Sequence, residues 1–253
     1  MSGQLYVVGL GPGGQEHTTP AASEALARAG HLVGYGPYLA RVDARPDQVR
    51  HASDNREEVR RARRALDLAR DGQTVAVVSS GDAGVFAMAA TLFEAIDAEP
   101  DAWPDVELSI VPGVTAMIAA AARLGAPLGH DFAAVSLSDN LKPWETVLKR
   151  IEAAAAADFV LALYNPISRA RPWQLGAAFD RLRALRPETT PVMFATAVSR
   201  ADERIEVTTL AAADPSQADM RTLVIVGSTA TRRIDRPDGA SWVYTPRRAA
   251  AAS

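Results

Sequence analysis

The sequence predicts an α/β fold, with a parallel sheet in its first half and a mixed sheet in its second. Three observations carry this expectation. Short apolar runs alternate with amphipathic stretches over residues 4–124, the pattern of a parallel sheet covered on both faces. Polar, glycine-bearing loops follow the carboxyl ends of three of those runs. Beyond residue 130, the runs 191–196 and 204–209 follow one another with no helix between, which makes the second sheet mixed.

Gln4–Leu10 is an apolar strand, and residues 11–18 form a loop. Thr19 reads as an N-cap with Pro20 at the first helical position, opening a helix to Arg28 that Gly30 stops. His31–Tyr35 is a second short strand. Asn55–Arg70 is a charged amphipathic helix with Ala62, Ala65, Leu66 and Ala69 on one face and Gly72 as its stop. Thr74–Val78 is a buried strand, followed by a helix over 84–97. Val106–Val111 is another strand, Pro112-Gly113 breaks it, and a small-residue helix covers 114–124. Gly125–Gly129 marks a boundary between a domain at 1–126 and a domain at 127–246. The second domain holds strands at 132–137, 159–164, 191–196, 204–209 and 222–227 and helices at 143–156 and 172–185. The alanines at 153–157 are helix filler, and the tail 247–253 is expected to fray.

Composition narrows the function. The chain has 253 residues, 48% of them hydrophobic, enough for a full core, and a net charge of −3. No basic footprint marks a nucleic-acid binder, although local basic patches could still receive an anionic small molecule. Cysteine is absent, which excludes disulfides, thiolate metal sites and a cysteine nucleophile. His17, His31, His51 and His130 are scattered with no metal-ligand spacing, so no metal is expected. The start, Met-Ser-Gly-Gln, lacks the basic segment of a signal peptide. No apolar run approaches the roughly 20 residues of a membrane span. A cytoplasmic protein without membrane contact is expected.

Three loops carry the chemistry. Val8-Gly9-Leu10-Gly11-Pro12-Gly13-Gly14 contains G-x-G-x-x-G, which alone suggests a dinucleotide fold. Two details oppose that. The helix starts at Thr19-Pro20 rather than on the last glycine, and residues 29–36 hold none of the acidic residues that would bind a ribose. Ser79-Ser80-Gly81-Asp82-Ala83-Gly84-Val85-Phe86 follows a buried strand and presents backbone and one carboxylate. By itself it is also an ordinary turn with Asp82 as a cap. Pro112-Gly113-Val114-Thr115-Ala116 is a third such loop, and by itself Pro-Gly simply ends a strand. Three loops of this kind at the ends of parallel strands point to one ligand. In the second half, Ser136-Leu137-Ser138-Asp139 and Leu163-Tyr164-Asn165-Pro166 end strands and also suit caps and turns. Arg169 and Arg171, and likewise Arg200 and Arg204, are either solvated or carboxylate-binding. Trp144 and Trp173 read as packing residues.

The loop 9–13, Gly81-Asp82, Pro112-Gly113-Val114-Thr115-Ala116 and Tyr164-Asn165-Pro166, in this order and spacing over about residues 4–230, resemble the tetrapyrrole methylases. Finer features resemble the branch of that family that methylates precorrin-3B at C17. These are Gly34-Tyr35-Gly36-Pro37-Tyr38, Ser79-Ser80-Gly81-Asp82-Ala83-Gly84, Ser136-Leu137-Ser138-Asp139 with Pro143-Trp144, and Ala162-Leu163-Tyr164-Asn165-Pro166. Most members have Gly-Asp-Pro where this chain has Gly81-Asp82-Ala83, and the alanine belongs with the C17 branch. Uroporphyrinogen methylases carry an Asp just after the second strand, where this chain has Gly36.

The resemblance implies two α/β domains with S-adenosylmethionine in the cleft between them, a homodimer, and release of S-adenosylhomocysteine. It places Pro12, Gly81, Asp82, Ala83, Phe86, Thr115, Ala116, Tyr164, Asn165 and Ala197 at the cofactor. It implies methylation of precorrin-3B at C17 with ring contraction to precorrin-4, in cobalamin biosynthesis; the absence of cysteine, which argues against an iron–sulfur centre, points to the metal-free branch rather than the cobalt-bearing one. For a carboxylate-rich macrocycle, Tyr35, Tyr38, Arg41, Lys142, Arg169, Arg171, Arg200 and Arg204 are the candidate contacts. Proton transfers accompany the reaction, and Asp139 and Asp82 are the candidate acid–base groups, Asp139 ahead because its loop belongs to the C17 pattern. Other readings stay open at this point: a methylase acting at another ring carbon, an NAD(P)-dependent oxidoreductase resting on residues 9–14, and a non-catalytic binder of adenosyl ligands or tetrapyrroles.

Overall fold

The computed structural model describes residues 3–54 and 56–248. The chain divides into two compact units, Met1–Ala116 and Met117–Ser253.

The first unit runs β1 (Gln4–Gly9), α1 (Pro20–Arg28), β2 (His31–Tyr35), α2 (Gly36–Leu39), β3 (Val49–Ser53), α3 (Glu58–Arg70), β4 (Val75–Ser79), α4 (Met88–Ala98) and β5 (Glu107–Val111). Its sheet has the order β3-β2-β4-β1-β5 and every pairing is parallel. The near-continuous apolar runs of β1 and β4 follow from burial on both faces. Alternate residues point to opposite faces. Leu5, Val7, Val33, Val75 and Val77 pack with Ala62, Ala65 and Leu66 of α3 and Leu92 of α4. Val8, Leu32, Ala76 and Val78 pack with Ala22 and Ala25 of α1 and with Leu39. The caps follow the expected chemistry. The Thr19 hydroxyl accepts the Ala22 N–H at 3.1 Å. At the end of α3, Gly72 takes φ of +82°, and its N–H and that of Gln73 return to Ala69 and Leu68, closing the helix with a left-handed residue.

The second unit contains α5 (Ala116–Leu124), β6 (Gly125–Ala126), β7 (Phe132–Ser136), α6 (Trp144–Ala156), β8 (Val160–Tyr164), α7 (Gln174–Arg183), β9 (Pro191–Thr196), β10 (Arg204–Thr209), β11 (Thr222–Val226), β12 (Arg232–Asp235) and β13 (Ser241–Tyr244). Its main sheet has the order β10-β9-β11-β8-β7. Only β7–β8 is parallel, so this sheet is mixed. The carboxyl ends of β7, β8 and β9 therefore lie along one edge of it. One face, with Leu161, Leu163, Phe194 and Val224, packs on Ile151 of α6 and Leu175, Phe179 and Leu182 of α7. Phe179 and Phe194 meet edge to face at 6.0 Å. β12, β13 and β6 form a separate three-stranded ribbon.

The two units meet in sequence at Ala116–Met117, where the expected boundary was Gly125–Gly129. The reason is local pairing: β6 joins β13, and the Met117 N–H donates to the Tyr164 hydroxyl at 3.1 Å. Five elements were not expected: α2, β3, β6, β12 and β13. α4 starts at Met88 rather than at 84, because Phe86 has φ of +52° and Ala87 is extended, which no helix can include. Asn55, the expected start of α3, and residues 249–253 of the expected frayed tail lie outside the described residues. Among the described residues no helix is long and apolar enough to cross a membrane.

Candidate active site

In the first unit, β4, β1 and β5 are neighbours in register, Gly9 beside Ser79 and Val8 beside Val111. Their three following loops therefore emerge side by side. They touch through glycines. Gly11 and Gly81 exchange N–H···O bonds at 3.0 and 2.8 Å, with φ of +73° and +68°. A Cβ on Gly113 would sit 2.4 Å from the Gly81 oxygen and 2.6 Å from the Gly9 oxygen. No other residue type allows that approach.

Two charged side chains lock this cluster. Asp82 Oδ1 accepts the Gly84 N–H at 2.8 Å, and Oδ2 accepts the Gly113 N–H at 2.9 Å. Both carboxylate oxygens thus brace backbone, one within the loop and one across to the next. Arg41 donates to Ser80 Oγ at 3.0 Å and to the carbonyls of Leu10, Gly11 and Gly13 at 3.0, 2.8 and 3.0 Å. Its guanidinium is drawn into the loops and clamps the first against the second. The Thr19 hydroxyl reaches the Pro112 carbonyl at 3.3 Å, tying α1 to the third loop.

The other expected first-unit residues take different positions. The Ala83 methyl is fully buried in the core, and the Ala83 carbonyl accepts the Ala89 N–H. Its side chain is therefore turned away from the loop surface. Pro12 and Thr115 are buried and Ala116 is partly exposed. Phe86 is 50% exposed and holds a left-handed backbone that bulky residues rarely adopt. Tyr35 and Tyr38 pack edge to face at 5.2 Å.

In the second unit, three loops leave the shared edge of the sheet. Asn165 follows β8 with φ of +50°. Its amide donates to Ser136 Oγ at 3.0 Å, which joins it to the end of β7. Arg171 donates to the Asn165 carbonyl at 3.1 Å. Asp139, beyond β7, accepts from Gln174 Nε2 at 3.1 Å. Gln174 is buried, and its Oε1 has no partner. Ala197 and Ser199, after β9, are buried with φ of +51° and +62°. Trp144 packs on the core and meets Trp173 edge to face at 5.0 Å.

The candidate basic residues divide. Arg204 is paired with Glu206 at 2.9 Å on β10. Arg169 and Arg200 are exposed. Burial, with Arg150 nearby, holds the Lys142 amine below its ordinary pKa. Gln174 was missed by sequence reading, since a glutamine at a helix start reads as solvated. Thr19 carried only a capping signal, and Ser80 entered only as part of the motif 79–84.

Five non-glycine residues among those described have positive φ: Phe86, Asp158, Asn165, Ala197 and Ser199. Three of them, Phe86, Asn165 and Ala197, are residues that the family resemblance placed at the cofactor. Backbone held in such conformations collects at ligand sites.

Residues 4–214 match the family model of the tetrapyrrole (corrin/porphyrin) methylases. The chain is 58% identical over 253 residues, the whole of both chains, to the precorrin-3B C(17)-methyltransferase of a Sinorhizobium species. It superposes on the crystal structure of the methyltransferase CobJ with a TM-score of 0.92 and 50% identity, covering 97% of this chain and all of that one. At the level of fold it also matches uroporphyrin-III C-methyltransferase from Thermus thermophilus, solved with S-adenosylhomocysteine. That match has a TM-score of 0.67 and 24% identity and covers 89% and 92% of the two chains. The chain belongs to the tetrapyrrole methylases.

Proposed function

We propose that this chain is the S-adenosylmethionine-dependent methyltransferase that methylates precorrin-3B at C17, with ring contraction to precorrin-4, in cobalamin biosynthesis. The observation that carries the proposal is the 58% identity across the full length of both chains to a protein of that activity. The site fits it.

The residues suit the cofactor. When bound, S-adenosylmethionine supplies a methyl group already activated by its sulfonium charge. The protein's share of the work is then to hold and orient. The glycine-locked loops of the first unit present backbone and small residues, with the Asp82 carboxylate as a fixed negative charge beside them. This environment favours a cation and needs no metal. Pro12, Gly81, Asp82, Ala83, Phe86, Thr115 and Ala116, with Tyr164, Asn165 and Ala197 of the second unit, form the proposed cofactor set. Ala83 contributes through backbone, since its methyl is in the core.

Asp139 is the proposed acid–base group. Gln174 holds Oδ2, which leaves Oδ1 to take or give a proton. Asp82 is the weaker candidate because both of its oxygens are engaged by backbone N–H groups. The substrate's carboxylates are met by Lys142, Arg169, Arg171, Arg200 and Arg204, and its macrocycle by Tyr35 and Tyr38. Arg41 serves them indirectly, by fixing the loops. A carboxylate against Lys142 would restore the ammonium charge that burial disfavours. The enzyme works as a cytoplasmic homodimer.

Replacing Asp139 by Asn tests the acid–base assignment. The variant should bind S-adenosylmethionine as the wild type does, by calorimetry, while kcat falls about 100-fold or more. Turnover at the wild-type rate would remove Asp139 from the mechanism.

A further inference from the structure

Away from the three loops, the first unit carries a second concave site. A cleft of about 370 Å³ lies between the edge strand β3 and helix α3, lined by Arg50, His51, Ser53, Arg60, Arg61 and Arg64 among others. No carboxylate lines it. Its positive charge is poorly compensated. Arg61 is only 4% exposed, yet its guanidinium donates to neutral groups: Ser53 Oγ at 2.8 Å, the Asp54 carbonyl at 2.6 Å and Met88 Sδ at 3.3 Å. Arg50 likewise holds the carbonyls of Leu39, Val42 and Asp43, each at 2.8 Å. Arg60 pairs with Glu57 at 2.7 Å, and Arg64 has no ion pair among the described residues.

A histidine, one of a stacked pair, also stands in the wall. His51 Nε2 lies 3.0 Å from His31 Nδ1, and the two rings stack. Burial first, then Arg64 and His31, push the His51 pKa below its ordinary value. For Arg61 burial acts in the same direction, against the pull of Glu58, Tyr38, Glu57 and Asp54. These carboxylates act from a distance, and a buried guanidinium with none in direct hydrogen-bond contact is costly unless something anionic answers it. Guanidiniums in a concave wall match the planar, two-oxygen face of phosphates and carboxylates.

We propose that the β3–α3 cleft is a binding site for a small polyanion, carrying two or more phosphate or carboxylate groups, separate from the cofactor loops. Arg64 and Arg60 provide the accessible contacts, and Arg61, fixed from behind by Ser53 and the Asp54 carbonyl, provides the permanent charge. The site does not depend on the identity of the methyl acceptor.

The test uses the whole chain and two probes, sodium tripolyphosphate and citrate, titrated separately. The chain has four histidines, so their ring signals in NMR locate binding directly. The expected result is saturable binding of at least one probe, with the His31 and His51 signals moving and those of His17 and His130 still. Saturating S-adenosylmethionine should leave it unchanged. Arg64→Glu, an exposed change, should weaken binding at least tenfold by calorimetry, whereas Arg28→Glu on α1 should not. Tripolyphosphate alone would identify a phosphate site, and citrate alone a carboxylate site. If neither probe moves the His31 and His51 signals, or if Arg64→Glu binds as the wild type does, the proposal is overturned.

Discussion

Gly113 has no room for a side chain, and that single fact links three loops. A methyl group there would press on the carbonyls of Gly81 and Gly9, so Gly113→Ala must push the loops apart. Overpacking of this kind costs about 1–3 kcal/mol. Urea unfolding should show that loss, and S-adenosylmethionine affinity should fall with it. Phe86 is the opposite case. It is half exposed and holds φ of +52°, a conformation that asparagine tolerates far better. Phe86→Asn should leave stability unchanged or raise it by up to about 1 kcal/mol, while weakening cofactor binding. A loss of stability with affinity intact would mean that the strain serves the fold and not the ligand. Asp82 sits between these cases. Asp82→Asn keeps one acceptor and loses the other, leaving either the Gly84 or the Gly113 N–H unanswered, at about 1–3 kcal/mol if that group stays buried.

At the scale of elements, α1 shows how local sequence reaches the site. Thr19 caps the helix and its hydroxyl also touches the Pro112 carbonyl. Thr19→Ala should reduce the unfolding free energy by about 1 kcal/mol, read from denaturant midpoints. β3 makes a pH prediction. Its His51 is held below the ordinary imidazole value of 6.5, so as pH falls through 6.5 the unfolded chain takes up a proton before the folded chain does. Stability contributed by the neutral ring is present above that pH and is lost on acidification toward the folded pKa. His51→Gln should flatten the fall in stability between about pH 7 and 5. The same strand shows where sequence legibility ends. β1, β4, β9 and β11 are buried on both faces and read as apolar runs. β3, with Val-Arg-His-Ala-Ser, and β12, with Arg-Arg-Ile-Asp, are partly or wholly exposed. They exist because a neighbour offers a hydrogen-bonding edge, which their own residues do not announce. Helix starts behave alike. Thr19-Pro20 declared α1, whereas α4 waits four residues for a left-handed Phe86 that no propensity signals.

At the scale of the molecule, the loops and the order of elements were legible because glycine, proline and capping residues mark them in every half. The roles of particular side chains were not. Arg41 reads as a contact for the substrate's carboxylates, and only the fold shows it feeding four loop acceptors. Gln174 reads as solvated, and only the packing of α7 buries it beside Asp139. The charge of the two-unit chain is nearly balanced, −3 overall, so anion binding has to arise from local clusters such as Arg60, Arg61 and Arg64. The central claim concerns the reaction, and the most direct measurement is incubation of the purified protein with S-adenosylmethionine and precorrin-3B, followed by mass spectrometry and absorbance of the tetrapyrrole. The account predicts the gain of one methyl group, S-adenosylhomocysteine in equal amount, and the spectrum of a contracted ring. An unchanged tetrapyrrole, from protein that still binds S-adenosylmethionine, would contradict it.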